Sequence, residues 1–183
     1  MTKRAIIVLA EGFEEIEAIT AIDVLRRAGV ETVVAGMDDL KVQGSHGLTV
    51  SADILLDKAG SDFDACVFPG GMPGATHLGT SEKVQELIQK MNSQKKLIAA
   101  ICASPAIVLA PTGILKNKMA TCYPGMQTYF DTDTSYKAED VVIDGNIITS
   151  RGPGTALAFS LAIVEKLIGK ETADKVRKAT LAG

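Results

Sequence analysis

Apolar and polar residues alternate along the chain in blocks whose spacing predicts strands followed by helices. Residues 4–10, RAIIVLA, form an apolar run of strand length, and residues 14–28 repeat apolar positions with a helical period before Gly29. Residues 31–36 predict a second strand, and residues 63–71 predict a buried strand that ends in glycines. This order of elements is typical of helices that connect parallel strands.

The remaining blocks extend the same alternation. Residues 81–92 predict a helix with one apolar face, and residues 97–110 predict a buried strand that passes into a helix. The other predicted elements are two short strands in 40–53, a possible strand in 118–124, a hairpin in 139–152, a buried helix in 154–169 and a final helix in 171–181. We therefore predict an α/β fold with a mostly parallel sheet covered by helices on both faces, in a single domain over 1–183.

The composition agrees with one packed α/β domain and argues against several kinds of partner. The chain has 183 residues, 46% of them hydrophobic, and a formal net charge of −3. Its basic residues are scattered along the chain, so nucleic acid is not an expected partner. The apolar segment at the start is too short for a signal peptide or a membrane span, so we expect a cytoplasmic protein without a membrane partner.

The three cysteines, Cys66, Cys102 and Cys122, are too far apart in the sequence to form a CxxC pair. A disulfide framework is therefore not expected, and the thiols are predicted to be reduced. The chain has two histidines and no close grouping of His, Cys and Asp, so no metal site is predicted. No nucleotide-binding motif is present, and no cofactor is expected.

Cys102 is the candidate nucleophile because it lies where strand 97–101 passes into a helix. Its neighbours Ala100 and Ser104 are small, as they are around the nucleophile in the strained turn of esterases. The N–H groups of the following helix favour a thiolate, so we expect a lowered pKa for this thiol. The alternative is that Cys102 only fills space. Cys122 is either a buried structural cysteine or a resolving thiol for Cys102.

A carboxyl group is predicted on the buried side of the first helix. A helical wheel places Glu14 and Glu17 towards the apolar face that packs on the sheet. The helix dipole explains Glu14 and Glu15 at an exposed helix start, whereas Glu17 needs a partner. The opposite face of this helix carries Ile16 and Ile19, which are either covered by a second subunit or exposed singly, as apolar residues commonly are.

Two glycine-rich turns are predicted at the same edge of the sheet as the cysteine. Residues 69–75, PGGMPGA, follow one strand, and residues 150–155, SRGPGT, follow another. Because glycine lets backbone N–H groups approach a ligand, Gly70, Gly71 and the amide of Ala103 form a candidate oxyanion site. Each turn also fits an ordinary tight turn without a binding role.

Four segments, in order along the chain, resemble one known family: AEGFEEIEA, VFPGGMPGA, IAAICASPA and TSRGPGTALAFSLAIVE. They are similar to the ThiJ/PfpI superfamily, in the branch of the DJ-one protein deglycases. The resemblance implies a flavodoxin-like fold and a homodimer. It also implies that Cys102 is a reactive, peroxide-sensitive cysteine with Glu17 as its carboxyl partner, and that Gly70, Gly71 and Ala103 surround the oxyanion.

The resemblance implies a cofactor-independent enzyme that converts methylglyoxal to lactate or removes early glycation adducts from thiols and amines. Attack of the Cys102 thiol on an aldehyde, with Glu17 moving the proton, would give a hemithioacetal. The alternative is an oxidative-stress sensor or redox-regulated chaperone that acts through oxidation of Cys102 to sulfinate. A protease is disfavoured because Ala103 stands where the peptidase members have a histidine.

Other positions depart from the family pattern or have roles that the resemblance alone implies. Tyr123 stands where the human-type proteins have a histidine. His46 stands where they have an arginine that comes from the partner subunit. The resemblance places Arg27 and the loop that contains Arg151 and Pro153 near the subunit contact or the pocket.

Overall fold

A parallel sheet forms the centre of the molecule. The computed structural model describes residues 2–60 and 62–182, so the predicted domain limits at residues 1 and 183 lie outside the described residues. The strands in the described part of the chain are β1 (Arg4–Leu9), β2 (Glu31–Gly36), β3 (Lys41–Gln43), β4 (Thr49–Ser51), β5 (Ile54–Leu55), β6 (Ala65–Phe68), β7 (Leu97–Ile101), β8 (Met119–Ala120), β9 (Ser135–Tyr136), β10 (Val141–Asp144) and β11 (Ile147–Ser150).

Seven of these strands form one sheet in the order β10-β11-β7-β6-β1-β2-β5. Neighbouring strands run parallel, except that β10 is antiparallel to β11. Without the two edge strands β5 and β10, the chain order across the sheet is second, first, third, fourth and fifth. This is the doubly wound order of flavodoxin-like folds. The predicted flavodoxin-like α/β fold is therefore confirmed.

The inner strands are apolar without alternation because both of their faces are buried. Every residue of β6 and β7 is buried, and so is every residue of β1 except the first. A strand covered on both faces has no solvent side, which explains the continuous apolar runs RAIIVL and LIAAI. Ala99 and Ala100 are fully buried in β7, and their small side chains let helices approach the sheet closely.

Helices cover the sheet in two groups. The α-helices are α1 (Glu15–Arg27), α2 (Gly74–Thr80), α3 (Glu82–Ser93), α4 (Ala156–Leu167) and α5 (Lys170–Ala179). Helices α1, α4 and α5 pack in one group, and α2, α3 and the helical turn Pro105–Leu109 form the other. Because β7 contacts both α3 and α4, the sheet is the middle of three layers, as predicted. Among the described residues, no helix has both the length and the apolar character that crossing a membrane requires.

The smaller elements agree with the sequence in part. The two predicted strands in 40–53 are the antiparallel pair β3 and β4, and the predicted hairpin in 139–152 is β10 and β11. The possible strand in 118–124 is confirmed only for Met119–Ala120, which pairs with β9. The sequence pattern does not predict α2, because Gly74–Thr80, GATHLGT, lacks a repeated apolar position.

Candidate functional site

Cys102 lies directly after β7 in the left-handed region of backbone space, with a φ of 64°. This geometry costs a residue that has a side chain about 1–2 kcal/mol, so the turn is strained, as the sequence predicts. Two backbone hydrogen bonds hold it: the Cys102 N–H donates to the Ser150 carbonyl at 3.0 Å, and the Tyr123 N–H donates to the Cys102 carbonyl at 2.8 Å. The residue is 9% exposed, so the thiol lies at the edge of the core.

The chain that follows Cys102 enters a short, irregular helical segment. Pro105–Leu109 forms a π-type turn, and the Ile107 N–H donates to the Ala103 carbonyl at 2.9 Å. The buried Ser104 hydroxyl donates to the Pro69 carbonyl at 2.6 Å. This hydrogen bond connects the cysteine turn to the loop that leaves β6, so the two loops that form the site are joined directly.

Gly70 and Gly71 bring the backbone of that loop against the cysteine. A Cβ atom on Gly70 would lie 2.6 Å from the Cβ of Cys102 and 2.9 Å from Oε2 of Glu17. Gly71 has a φ of 88°, and a Cβ atom there would collide with the backbone between Gly12 and Glu14. Both positions therefore require glycine for the approach of the loop.

Glu17 projects from the first turn of α1 and is fully buried. Its Oε2 accepts a hydrogen bond from the Gly70 N–H at 2.7 Å. Its Oε1 is buried and accepts no hydrogen bond from an N–H or O–H group of the described residues. The Glu17 N–H donates to the Glu14 carboxylate at 2.8 Å, so Glu14 caps the helix and brings a negative charge near. The carboxyl group of Glu17 adjoins the Cys102 thiol, and each alters the pKa of the other.

The environment of Glu17 raises the pKa of its carboxyl group to near neutral pH. Burial raises the pKa of Glu17 to about 7, and the charge of Glu14 contributes to the rise. The Gly70 N–H and the Cys102 thiol act in the opposite direction. A carboxyl group with a pKa near the working pH can both accept and donate a proton, which is the property of a general acid-base group.

The pKa of the thiol differs from the prediction. Burial, together with the charge of Glu17, raises the pKa of Cys102 to about 12. The N–H groups of Gly71 and Ala103 face the sulfur and lower the pKa, but burial and Glu17 outweigh them. The predicted low pKa is therefore wrong, because it considers only the helix end. The Cys102 thiol favours ionisation of Glu17, whereas the charge of Glu17 disfavours ionisation of Cys102, so the two titrations are coupled.

The backbone N–H groups at the site have different partners. The amides of Gly71 and Ala103 point at the sulfur, which is consistent with their predicted place around an oxyanion. The amide of Gly70 is already bonded to Glu17. Gly70 therefore positions the carboxyl group, and the two other amides remain for a substrate oxygen.

His46 lies in the turn between β3 and β4 and contacts Glu15 at the start of α1. Its Nδ1 is 2.9 Å from Oε2 of Glu15, whose Oε1 accepts from the His46 N–H at 2.7 Å. Burial raises the pKa of Glu15, but the hydrogen bonds from His46 and nearby N–H groups outweigh it and lower the pKa to about 2. The predicted exposure of Glu15 is wrong: it is 5% exposed, because the distant turn covers it. Glu14 is 7% exposed, which agrees with the helical wheel and not with an exposed helix start.

The same contact forms a grouping of possible metal ligands that the sequence does not reveal. Ligand atoms of Glu14, Glu15 and His46 lie within 4.8 Å of one another. The histidine is 31 positions from Glu15, so only the fold brings them together. Both oxygens of Glu15 already accept hydrogen bonds, so the carboxylate is satisfied without a metal ion. We assign it the role of fixing the β3–β4 turn on α1.

Tyr123, Arg151 and Pro153 lie together beside the cysteine turn. They contribute to the lining of a cavity of about 220 Å³, and the Tyr123 backbone bonds to Cys102. Tyr123 is 49% exposed, and its ring lies against Gly152. Nε of Arg151 is buried and has no hydrogen-bond partner among the described residues. These three residues form one wall next to the cysteine turn.

Arg27 and the other cysteines lie apart from the carboxyl-thiol pair. Arg27 is ten residues after Glu17 on the same helix, about 15 Å along its axis, and its guanidinium bonds to Asp23 at 2.6 Å. Cys122 is fully buried but follows β8 outside any strand, and burial raises its pKa to about 11. Cys66 is buried in β6, and burial raises its pKa further. All three cysteines are free.

The sheet order and the strained cysteine turn define a class of flavodoxin-like proteins that hold a candidate nucleophile at the end of a strand. The chain belongs to the DJ-1/PfpI family, whose family model matches residues 3–166. It is 46% identical over 182 residues to the protein DJ-1 homolog B of Arabidopsis thaliana, covering 98% of this chain and 41% of that protein. The chain thus spans less than half the length of this relative.

Further relatives match over nearly their full length. The glutathione-independent glyoxalase DJR-1.2 of Caenorhabditis elegans is 36% identical over 178 residues, covering 96% of this chain and 95% of that protein. The crystal structure of Drosophila melanogaster DJ-1beta superposes with a TM-score of 0.96 at 45% identity, covering 100% of both chains. The structure of oxidized Toxoplasma gondii DJ-1 gives a TM-score of 0.92 at 38% identity, covering 98% of both chains.

Proposed function

We propose that the protein is a cysteine-dependent, cofactor-independent enzyme that converts α-oxoaldehydes such as methylglyoxal to 2-hydroxy acids, and that also acts on their early adducts with thiols and amines. The observation that carries this proposal is the Glu17 carboxyl group, buried beside Cys102 with a pKa of about 7. The name of the Caenorhabditis elegans relative, a glutathione-independent glyoxalase, supports the same class of reaction.

The reaction needs no external oxidant or reductant, because one carbon of the substrate is oxidised while its neighbour is reduced. The Cys102 sulfur bonds to the aldehyde carbon, and its proton passes through Glu17 to the aldehyde oxygen, giving a hemithioacetal. Glu17 then removes the hydrogen on that carbon as a proton, and a proton returns to the neighbouring carbonyl carbon. The product is a thioester, which water cleaves to release the 2-hydroxy acid and the free thiol.

The residues of the site match the requirements of these steps. With a pKa of about 7, Glu17 is partly ionised at neutral pH and can carry each proton. With a pKa of about 12, Cys102 stays protonated until the carbonyl carbon is in place, so Glu17 must take its proton as the bond forms. The amides of Gly71 and Ala103 donate to the negative oxygen that develops when sulfur attacks.

Reaction in deuterated water tests the proposal. We expect methylglyoxal to be converted to lactate without glutathione, and NMR to detect solvent deuterium on the carbon that carries the hydroxyl group, because Glu17 exchanges its proton with water. Absence of lactate from folded protein would show that the proposed function is wrong. Lactate without deuterium would contradict the expected exchange of the transferred hydrogen with water.

A second function is proposed for the same thiol, as a sensor of peroxide. The amides of Gly71 and Ala103 that face the sulfur would stabilise a sulfinate, and protonated Glu17 would donate a hydrogen bond to it. The oxidized form of the Toxoplasma gondii relative gives this proposal support from the family. Mild peroxide is expected to add two oxygen atoms to Cys102, detected by peptide mass spectrometry. Oxidation of Cys66 or Cys122 before Cys102 would contradict a sensor role for Cys102.

We also propose a homodimer in which the outer face of α1 lies at the contact between subunits. Ile16 and Ile19 on this face are 56% and 43% exposed, although most large apolar side chains are buried. Sedimentation is expected to give twice the 19.2 kDa chain mass. The Ile19→Asp variant is expected to sediment as a monomer, while Leu181→Asp, at an exposed apolar residue outside this face, stays dimeric. A monomeric native protein would overturn the proposal.

A further inference from the structure

A large cavity opens at the end of the sheet opposite to Cys102. Its volume is about 530 Å³, within the usual range of small-molecule sites. Leu97, the first residue of β7, lines it, whereas Cys102 follows the last residue of that strand. The two places are therefore about 16 Å apart along the strand. None of the groups that we assign to the thiol chemistry lines this cavity.

The cavity carries an excess of positive charge. Four lysines line it, Lys3, Lys95, Lys96 and Lys166, and Asp64 is the one acidic residue among the lining residues. The whole chain, in contrast, has more acidic than basic residues and a formal net charge of −3. Convergence of four cations on one concave surface raises the local concentration of anions there.

Two of the lysines are held in place by the acid. The ammonium groups of Lys3 and Lys96 each bond to Oδ1 of Asp64 at 3.1 Å, and the Arg4 N–H donates to its Oδ2 at 3.0 Å. One carboxylate thus fixes two ammonium groups and compensates only one of their charges. This side of the cavity is positioned before any ligand arrives.

Lys95 occupies a backbone position that favours glycine. It follows the C-terminal end of α3 with a φ of 54°, and the Lys96 N–H donates to the Met91 carbonyl at 2.9 Å to close the helix. A residue with a side chain is strained in this conformation. A lysine is present here despite that strain, and it is one of the residues that line the cavity.

Lys95 and Lys166 have no acidic partner within 4 Å in the described part of the chain. Both lie near the C-terminal end of a helix, where a positive charge is favourable. The helix dipole explains why a lysine lies at the end of α3 and why another lies at the end of α4. It does not explain why both line the same cavity, together with the fixed pair and the apolar side chains of Leu97 and Leu167.

We propose that this cavity is a second binding site, and that its ligand is a small dianion attached to a short apolar group, of the chemical class of phosphate monoesters. The four ammonium groups would bind the phosphate oxygens as point charges. Leu97 and Leu167 would contact the apolar part. Because these residues lie far from Cys102, the site is independent of the proposed thiol chemistry.

Titration with phenyl phosphate tests this site on the full chain. We expect saturable changes in the ¹H–¹⁵N resonances of Lys95 and Gly145, which line the cavity, weaker binding of inorganic phosphate, and no binding of neutral phenol. The Lys95→Gly/Lys166→Ala variant is expected to bind phenyl phosphate at least tenfold more weakly. Glycine adopts the positive φ at residue 95 without strain, so the Lys95→Gly change should not lower the stability of the protein.

The matched control is Lys137→Ala/Lys178→Ala, which removes the same charge from lysines outside the cavity. It is expected to bind phenyl phosphate as the native protein does. If both double variants bind phenyl phosphate equally more weakly, general charge attraction explains the binding, and the proposed site is wrong. Failure of the native protein to reach saturation with phenyl phosphate would overturn it as well, whatever the outcome of the methylglyoxal assay.

Discussion

The Cys102→Ser variant is expected to turn over methylglyoxal at least about a thousandfold more slowly than the native protein, because the covalent step is lost. Serine fits the space of the buried cysteine, but its hydroxyl is a far weaker nucleophile. Glu17, with a pKa of about 7, is too weak a base to ionise it. The measurement is the initial rate of lactate formation at saturating methylglyoxal.

The control for this substitution is Cys122→Ser, which makes the same change at another buried thiol. We expect this variant to keep its rate, because Cys122 lies outside the carboxyl-thiol pair. Thermal unfolding of both variants verifies that they are folded. If the Cys102→Ser protein is folded and retains a rate near that of the native protein, the thiol is not the nucleophile.

The Glu17→Gln variant is expected to change turnover and thiol reactivity in opposite directions. The amide oxygen of glutamine can still accept from the Gly70 N–H, but the side chain cannot carry a proton, so turnover should fall by about 10²–10⁴-fold. At the same time the negative charge that raises the pKa of Cys102 is removed. The thiolate fraction at pH 8 therefore rises, and alkylation of Cys102 becomes faster.

Two pH profiles measure this prediction. Iodoacetamide alkylation of Cys102 should reach its half-maximal rate at a lower pH in Glu17→Gln than in the native protein. Native turnover should increase as pH rises through about 7, where Glu17 loses its proton, and this step should be absent from the variant. Glu11→Gln changes an exposed carboxyl group and is expected to leave both profiles unchanged. Slower alkylation in Glu17→Gln would contradict the coupling between the two groups.

Most of the fold follows from local patterns in the sequence. Continuous apolar runs such as RAIIVL identify strands that are buried on both faces, and helical periodicity identifies α1 and α3. The exceptions have little apolar surface. Helix α2 has no periodic apolar face and is held by packing against Pro105–Leu109. The strand content of 118–124 is limited to two residues, because their one partner, β9, is equally short.

The sequence predicts which residues meet in the candidate site, but only part of their electrostatics. Cys102 and Glu17 are indicated by a strand end and by a wheel that places an acid on the buried face. The pKa of the thiol depends on burial by segments far away in the sequence, which no local pattern contains. Burial of Glu15 likewise depends on a turn 31 positions away that supplies its donors. Long-range packing therefore determines the electrostatics that the sequence alone cannot give.

The peptide groups of Gly70 and Gly71 follow one another, yet they serve different ionisable side chains. The first donates to Glu17, and the second faces the sulfur of Cys102. Loss of these two amide contacts, with burial unchanged, would raise the pKa of both side chains together. A backbone shift of the loop after β6 would therefore change the pKa of the carboxyl group and of the thiol in the same direction.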